Sequence, residues 1–541
     1  MLIAAFGFSQ SPNWVWAKSN SGDPYTDAGT SICTDANGNS YITGSFFGPA
    51  VTFGAFTLTN ANFNWADIYI VKYDPSGNVL WAKSAGGIHD DEGLSIVMDT
   101  KGYIYLTGYF ESSTITFGGT TLTNNDTTGC SGDIFLVKYD STGNVVWAKS
   151  AGGNAHEVGR SVSVDIKGNA YISGFYQSPT FVFGSDTLVG YFNFPKILVV
   201  KYDSIGNACW ARSAIGDYVD QSTSISTDAA GNAYVTGFFG SSALDFGTDT
   251  LYNNYASNIF IVKYDSLGNV LWAKCSEEVS NNQSYGWGIT ADASGNVYVT
   301  GEASAVPITF DTITLNSNGA FIVKYNSIGN VVWAKSIIGG SFDSDWYNCN
   351  ICLDLLGNFY IVGEFYSTIT IGGTTLTNTG MADIFVAKYD INGNALWAQK
   401  AGGLGSEEGA AIGVDAIGNT YVTGSFDTTS FFGTIVLPYT YSPTAKFDIF
   451  VAKLDYKVGI EEFTTSLDGM MVFPNPATDN ITIETPQKSE IEILNIQGQI
   501  IKTAKSDGKE TTIDLRNLSS GVYIIKAKTE RGVAVKKFIK E

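Results

Sequence analysis

Carboxylates are the residues of this sequence most able to do chemistry. A recurring aliphatic residue (Ile32, Ile96, Val162, Ile225, Ile289, Ile351, Ile412) aligns seven segments. The position five before it reads Asp27, Asp91, Glu157, Asp220, Ser284, Trp346 and Glu407. If the segments close into a ring, its five acids encircle a mouth, and Trp287 and Trp346 break the circle in adjacent copies. Such an arrangement can hold a cation, a basic side chain or a sugar. The plain alternative is a solvated rim that cancels strand-end donors. The two histidines, His89 and His156, fall in the same segments of neighbouring copies. No nucleophile motif and no His-x-His or His-Glu-x-x-His spacing accompanies them. Six cysteines, at 33, 130, 209, 275, 349 and 352, lack metal-ligand spacing. Cys349 and Cys352 sit at i and i+3 of an expected strand and so point to opposite faces. The cysteines read mainly as small core residues, with one or two disulfides open to an exported chain. No catalytic residue, metal site or cofactor is expected.

What must position these acids is a repeat. Tyr-x-x-Gly recurs at Tyr41, Tyr105, Tyr171, Tyr234, Tyr298, Tyr360 and Tyr421. Trp-Ala recurs at Trp16, Trp81, Trp147, Trp210, Trp272, Trp333 and Trp397, and Lys-Tyr-Asp or a near copy runs from Lys72 to Lys453. One copy divides into four strands: a (94–98), b (103–110), c (133–139) and d (145–150). Strands b and c are apolar on both faces, as in sheets sandwiched between neighbours. The a–b and c–d turns share Asp-x-x-Gly-Asn, as in Asp228-Ala-Ala-Gly231-Asn232. The Asp closes an Asx turn and the Gly takes a left-handed conformation. Asp35-Ala-Asn37-Gly-Asn39 has the flavour of a calcium loop, but the other copies do not keep Asn37. The repeated cations (Lys72, Lys138, Lys201, Lys263, Lys324, Lys388 and Lys453 on strand c; Lys18, Lys83, Lys149, Arg212, Lys274 and Lys335 on strand d) read as scaffold that pairs with turn aspartates.

Four-stranded antiparallel units of this length, repeated radially, make a β-propeller. The last copy loses its strand d after residues 448–455, and the first begins with an orphan strand d, 13–19. The N-terminal strand is therefore expected to complete the last blade and close a seven-bladed ring without a free edge. In such a ring strand a lines the channel and the d–a loops rim one face. The copies resemble the SBBP-type propeller repeat of bacterial surface and secreted proteins, over about residues 11–458, in Asp-x-x-Gly-Asn-x-Tyr-Val-Thr-Gly and Phe-Val-Ala-Lys-Tyr-Asp. That resemblance implies a scaffold rather than an activity.

Composition agrees with an all-β chain: 60 Gly, 33 Phe and 29 Tyr, with 44% hydrophobic and 15% charged residues. The net charge of −21 lies almost wholly before residue 459 and argues against nucleic acid or an anionic membrane as partner. No apolar run reaches membrane-spanning length. Residues 1–10 read as the remnant of a signal peptide without its basic start.

Periodicity stops after Asp455. Residues 459–469 read as a linker, and 470–541 as a small β-sandwich of alternating segments. The pieces Val472-Phe-Pro-Asn-Pro-Ala477, Leu518-Ser-Ser-Gly-Val-Tyr523 and Lys536-Lys537-Phe-Ile-Lys540 closely resemble the type A sorting domain of the type IX secretion system. That resemblance implies Gram-negative export through periplasm and outer membrane, the secretion machinery as partner of residues 470–541, and removal of the domain at the surface. The expected protein is a monomeric, non-catalytic surface or secreted module that binds glycan or protein on its d–a loop face. The rivals are a polysaccharide-active enzyme on the same scaffold and a purely structural surface protein.

Overall fold

The structure is a computed structural model. It describes residues 11–20, 25–126, 131–190, 194–254, 257–278, 283–304, 307–337, 350–439, 447–455, 470–485, 487–495, 500–529 and 532–540. The expected leader, the linker, Trp346, Cys130 and Cys349 lie outside the described residues. Every regular element in them is a β-strand. The chain forms two compact units, 1–457 and 458–541.

In the first unit the described strands build seven four-stranded antiparallel sheets, one of which continues into a short hairpin. In the second repeat, strands a to d are Asp91–Met98, Ile104–Phe110, Asp133–Tyr139 and Val145–Ala151, in that spatial order. Strand a starts three residues earlier than the sequence suggested. A hairpin not read from the sequence, Thr114–Phe117 with Thr120–Thr123, lies between b and c. Each strand a packs beside those of the repeats before and after it, and that of the first repeat (Asp27–Thr34) packs against that of the seventh (Glu407–Val414), so the series is cyclic. Asn13–Ser19 is the fourth strand of the last sheet. It pairs antiparallel with Asp448–Asp455, from Asn13↔Asp455 to Ser19↔Phe450.

The repeated residues explain why the sheets stack. Lys201 of strand c sits opposite Tyr171 of strand b, its ammonium 4.8 Å from the ring centroid. It reaches the next repeat and donates to Ser266 O at 2.7 Å. Trp210 Nε1 donates to the same carbonyl at 3.3 Å, and its indole lies against Gly268 of that turn, where a Cβ would come within 2.9 Å. Gly268 has φ +83°, so it answers both to the turn and to the indole. The lysines therefore hold the neighbouring turn's carbonyl. Among the described ion pairs only Lys138–Asp99 (4.0 Å) and Lys388–Asp354 (3.2 Å) match the expected pairing with turn aspartates. The closing seam has the same chemistry: Trp16 Nε1 and Lys453 Nζ both donate to Pro75 O (3.0 and 3.3 Å), and Tyr421 Oη to Gly38 O at 2.9 Å.

The second unit pairs a three-stranded sheet (Met471–Phe473, Asn480–Glu484, Glu510–Asp514) with a four-stranded one (Lys488–Leu494, Ile500–Asp507, Gly521–Thr529, Gly532–Lys540). Ile481, Ile483, Ile491, Ile493, Ile525 and Phe538 form its core. Asn475 of Pro-Asn-Pro pins the last strand: its side chain donates to Lys537 O (3.1 Å) and accepts from Ile539 N (2.9 Å).

Deleting residues 11–19 should expose the edge of 448–455 and produce soluble aggregates by light scattering. Trp16→Ala alone removes an indole only 7% exposed and should cost about 3–5 kcal/mol in urea denaturation. An unchanged midpoint would show that the seam does not depend on this latch.

Candidate functional site

The acids singled out in the sequence are not a solvated rim. Asp27, Asp91, Glu157, Asp220 and Glu407 are the first residues of their strands a, and none is more than 1% exposed. The main-chain N–H of each donates to a carbonyl of the preceding repeat in the ring, as from Asp91 to Ala66 O at 2.9 Å and from Asp27 to Phe447 O at 2.9 Å. The side chains turn inward and tie down loops. Asp91 accepts from Ser112 N (3.2 Å) and Oγ (2.8 Å), and Asp220 from Ser241 N (3.1 Å) and Oγ (2.7 Å). Glu157 accepts from Gly153 N and Ser178 N, and Glu407 from Gly403 N and Ser430 Oγ. Asp27 accepts from Asn20 Nδ2 at 2.6 Å and Phe47 N at 3.1 Å. The sequence reading placed these residues in a loop because strand a was started at its first aliphatic residue. They are clasps between repeats. His89 and His156 lie beside them, and His156 Nδ1 accepts from Gly132 N at 2.9 Å, a structural bond. Among the described cysteines, Cys33, Cys209, Cys275 and Cys352 form no disulfide.

What opens into a cavity lies three residues further along strand a. In six repeats the register slips by one residue there, and the extra residue is Thr30, Leu94, Arg160, Thr223, Trp287 or Ala410. A β-bulge turns its extra residue away from the regular alternation. All six line one cavity of about 510 Å³ at the centre of the cycle of strands a, with Ser31, Ser95, Ser161, Ser224, Glu364 and Glu408. The bulge also accounts for the glycine of Tyr-x-x-Gly. A Cβ at Gly44, Gly108, Gly174 or Gly424 would lie 1.8 Å from the carbonyl oxygen that the bulged strand presses against it.

The cavity wall is chemically uneven. Arg160 projects from the third repeat, its Nη2 donating to Gln221 Oε1 at 3.0 Å and its guanidinium 5.5 Å from the Phe175 ring centroid. Arg160 Nε and Trp287 Nε1 are buried without hydrogen-bond partners. Trp287 stacks on Tyr285 at 5.3 Å. Glu364 of the sixth repeat and Glu408 of the seventh lie in the same wall. Burial first, and then the neighbouring Glu408 charge, pushes the Glu364 carboxyl up to about 8. The sequence reading missed Arg160, Glu364 and Glu408 and gave Trp287 no position in the wall. The available signal was variation: the position two before the aligned aliphatic holds Thr, Leu, Arg, Thr, Trp, Cys and Ala.

Residues 471–541 match the secretion system C-terminal sorting domain. The chain is thus exported by type IX secretion to the cell surface or the medium. An uncharacterized WD repeat-containing protein of Acanthamoeba polyphaga mimivirus is 25% identical over 513 residues, 78% of this chain and 36% of that protein. The regulatory protein FlaEY of Caulobacter vibrioides is 25% identical over 109 residues, 20% of this chain and 11% of that one. This chain therefore spans about a third of the first relative and a tenth of the second. Among solved structures, PorZ, a surface component of the type IX secretion system of Porphyromonas gingivalis, is similar over 95% of this chain and 81% of its own at 11% identity and TM-score 0.27. A protein of unknown function from Dyadobacter fermentans is similar over 82% and 99% at 9% identity and TM-score 0.37. Among the described residues no helix is long and apolar enough to cross a membrane.

Burial pushes the carboxyl of Asp67 up to about 6 and those of Asp91, Asp133 and Glu407 up to about 7. A carboxyl whose folded pKa is raised keeps its proton in the native state after the unfolded chain has lost it. Stability then falls as pH rises from about 4 to about 7 and stays at the lower level above that. In buffer with chelator, the melting temperature should be higher at about pH 5 than at about pH 8, and Asp67→Asn with Asp91→Asn should flatten the difference. Asp91→Ala leaves the buried Ser112 N without its acceptor and should cost about 1–3 kcal/mol. An unchanged melt for that variant would return Asp91 to a solvated rim.

Proposed function

We propose that the first unit is a seven-bladed propeller of the SBBP type that acts outside the cell as a non-catalytic binding module, taking a glycan or a protein segment into its central channel. The observation that carries this reading is the six-fold bulge in strand a. It delivers to one cavity a position at which the repeats differ widely, including an indole and a guanidinium. Stacking on Trp287 and hydrogen bonding to Arg160, the channel serines and Glu408 are what a sugar ring uses. The sorting domain delivers the module and engages the secretion machinery through residues 470–541. The mature module is then a monomer, released or anchored after the domain is removed.

A second reading has a specific observation in its favour. Glu364 and Glu408 share a wall in unlike surroundings, one buried and one exposed. Burial raises both carboxyls, that of Glu364 to about 8, and two carboxyls whose surroundings set them apart are what a general acid and its partner need in glycoside cleavage.

A glycan array probed with the exported module should give a hit that Trp287→Ala and Arg160→Ala each weaken at least about tenfold, near 1.4 kcal/mol. Retained affinity in both folded variants would remove the channel as the site. Turnover of any polysaccharide that disappears in Glu364→Gln would favour the enzyme over the binding module.

A further inference from the structure

The a–b and c–d hairpins of a repeat turn at the same end of its sheet, so in the cyclic series their turns share one face. Where the turn reads Asp-x-x-Gly or, at Asn326, Asn-x-x-Gly, the second x is its tip. In each of repeats three to seven one tip is aliphatic. These residues are Ile205, Leu267, Ile328, Leu356 and Ile417, and they are 69% to 84% exposed. Ile166 and Leu355 stand beside tips of the same face, 58% and 87% exposed. In repeats one and two the tips are Asn37, Ser76, Lys101 and Thr142. The aliphatic tips thus form an arc over five consecutive repeats.

A side chain that leaves water takes its main chain with it, and an unpaired N–H would make that costly. The turns have already met this need. Ile205 N donates to Asp203 Oδ1 (3.0 Å), Leu267 N to Asp265 Oδ1 (2.8 Å) and Ile328 N to Asn326 Oδ1 (3.2 Å). Leu356 N donates to Asp354 Oδ1 (2.9 Å) and Ile417 N to Asp415 Oδ1 (3.1 Å). Each tip can therefore enter an apolar medium without stranding its own donor. The lysine and tryptophan latch holds the turns of Leu267 and Ile328 in place beforehand.

Charge does not oppose such a move. Most repeats bring a strand-c lysine and a strand-d cation to these turns, as when Arg212 Nε donates to Gly268 O at 2.8 Å and Lys335 Nζ to Gly393 O at 2.7 Å. Against them stands one carboxylate per turn. Lys101 and Lys167 add to the cations, and Asn326 removes an acid. The acid excess of the first unit therefore lies on other parts of the ring. Separate aliphatic tips with cations between them fit a flat, soft surface, whereas a protein partner would have to supply a socket for each.

We propose that the turn face is a lipid-docking surface. At the cell surface the tips of repeats three to seven enter the headgroup layer of a membrane, and the polar sector of repeats one and two stays in water.

The test is flotation of the purified full-length chain with vesicles of phosphatidylcholine, with and without phosphatidylglycerol, at about 0.15 M salt. The chain is expected to float with both. I205S/L267S/I328S and L355S/L356S/I417S should each weaken binding at least about tenfold, since each removes three inserted aliphatics. Their melting temperatures should stay unchanged, because such exposed positions contribute little to stability. Leu404→Ser, 79% exposed in a d–a loop, should bind as the unaltered chain does. S76L/T142L extends the arc into repeats one and two and should bind more tightly. A chain that does not float overturns the proposal, as does flotation that both triple variants retain. Flotation that needs phosphatidylglycerol and ignores the tips would assign the contact to the lysines alone and overturn it too. A lipid-free dimer in light scattering that the triple variants dissolve would make the arc an interface between two copies, and would equally overturn it.

Discussion

A single main-chain carbonyl of the c–d turn, at Pro75, Ser141, Ser266 and Ser327, takes both a lysine and a tryptophan of the preceding repeat. Ser266 O receives the Lys201 ammonium and the Trp210 indole from the preceding repeat, and Pro75 O receives Lys453 and Trp16 at the seam. A carbonyl has two lone pairs, and here both are used by groups too large to be solvated once the sheets stack. The lysine is held in turn by the tyrosine ring beneath it, so ammonium, ring, indole and turn glycine are fixed as one unit. Removing any member strands the others in a buried boundary. Because the N-terminal strand supplies Trp16, the first and last repeats meet through the same contact as the boundaries at Ser141, Ser266 and Ser327.

That latch lies toward the turn end of each sheet. The opposite end is fixed by the strand-a acids, whose carboxylates gather the d–a loop and the segment after strand b. Between these two fixed ends, strand a bulges by one residue. Its displaced carbonyl lies so close to the strand-b glycine that only the absence of a Cβ permits it. The bulge costs one ladder position per repeat and in exchange directs one side chain per repeat to the centre. Thr30 and Thr223 still bond the next repeat, at Gly93 O (2.6 Å) and Gly286 O (2.7 Å), but with the latch and the acid clasp carrying most of the stacking the position accepts very different side chains. Threonine, leucine, arginine, tryptophan and alanine all occupy it.

Sequence alone reached the ring, the seam strand and the tail because each is written in residues that repeat. Trp16, Trp81 and their counterparts carry a period that no other arrangement explains. It failed where a position's surroundings, rather than its identity, decide its role. Five acids in register resembled a solvated rim, since carboxylates are mostly exposed. Their burial follows from main-chain bonds across repeats that no single repeat reveals. Arg160 went unnoticed because it breaks the pattern, and the eye that finds a repeat discards its exceptions. Glu364 was hidden by its strand: it follows Tyr360-Ile-Val-Gly363 among apolar neighbours, where the sheet pairs it with nothing predictable from spacing.

The exceptions fall unevenly round the ring. Arg160 comes from the third repeat, Trp287 from the fifth, and Glu364 and Glu408 from the sixth and seventh, so a guanidinium and two carboxyls face the same cavity from separated sectors. A channel of like residues would attract any ion of one sign, whichever way it entered. A channel with a guanidinium on one side, two carboxyls on another and an indole between them orients what it binds, since one end of an asymmetric ligand fits each sector and the reversed pose sets like against like. Only a cyclic repeat whose stacking contacts lie elsewhere can hold so uneven a centre. Stacking contacts that lie away from the centre are what permit the diversity of the channel.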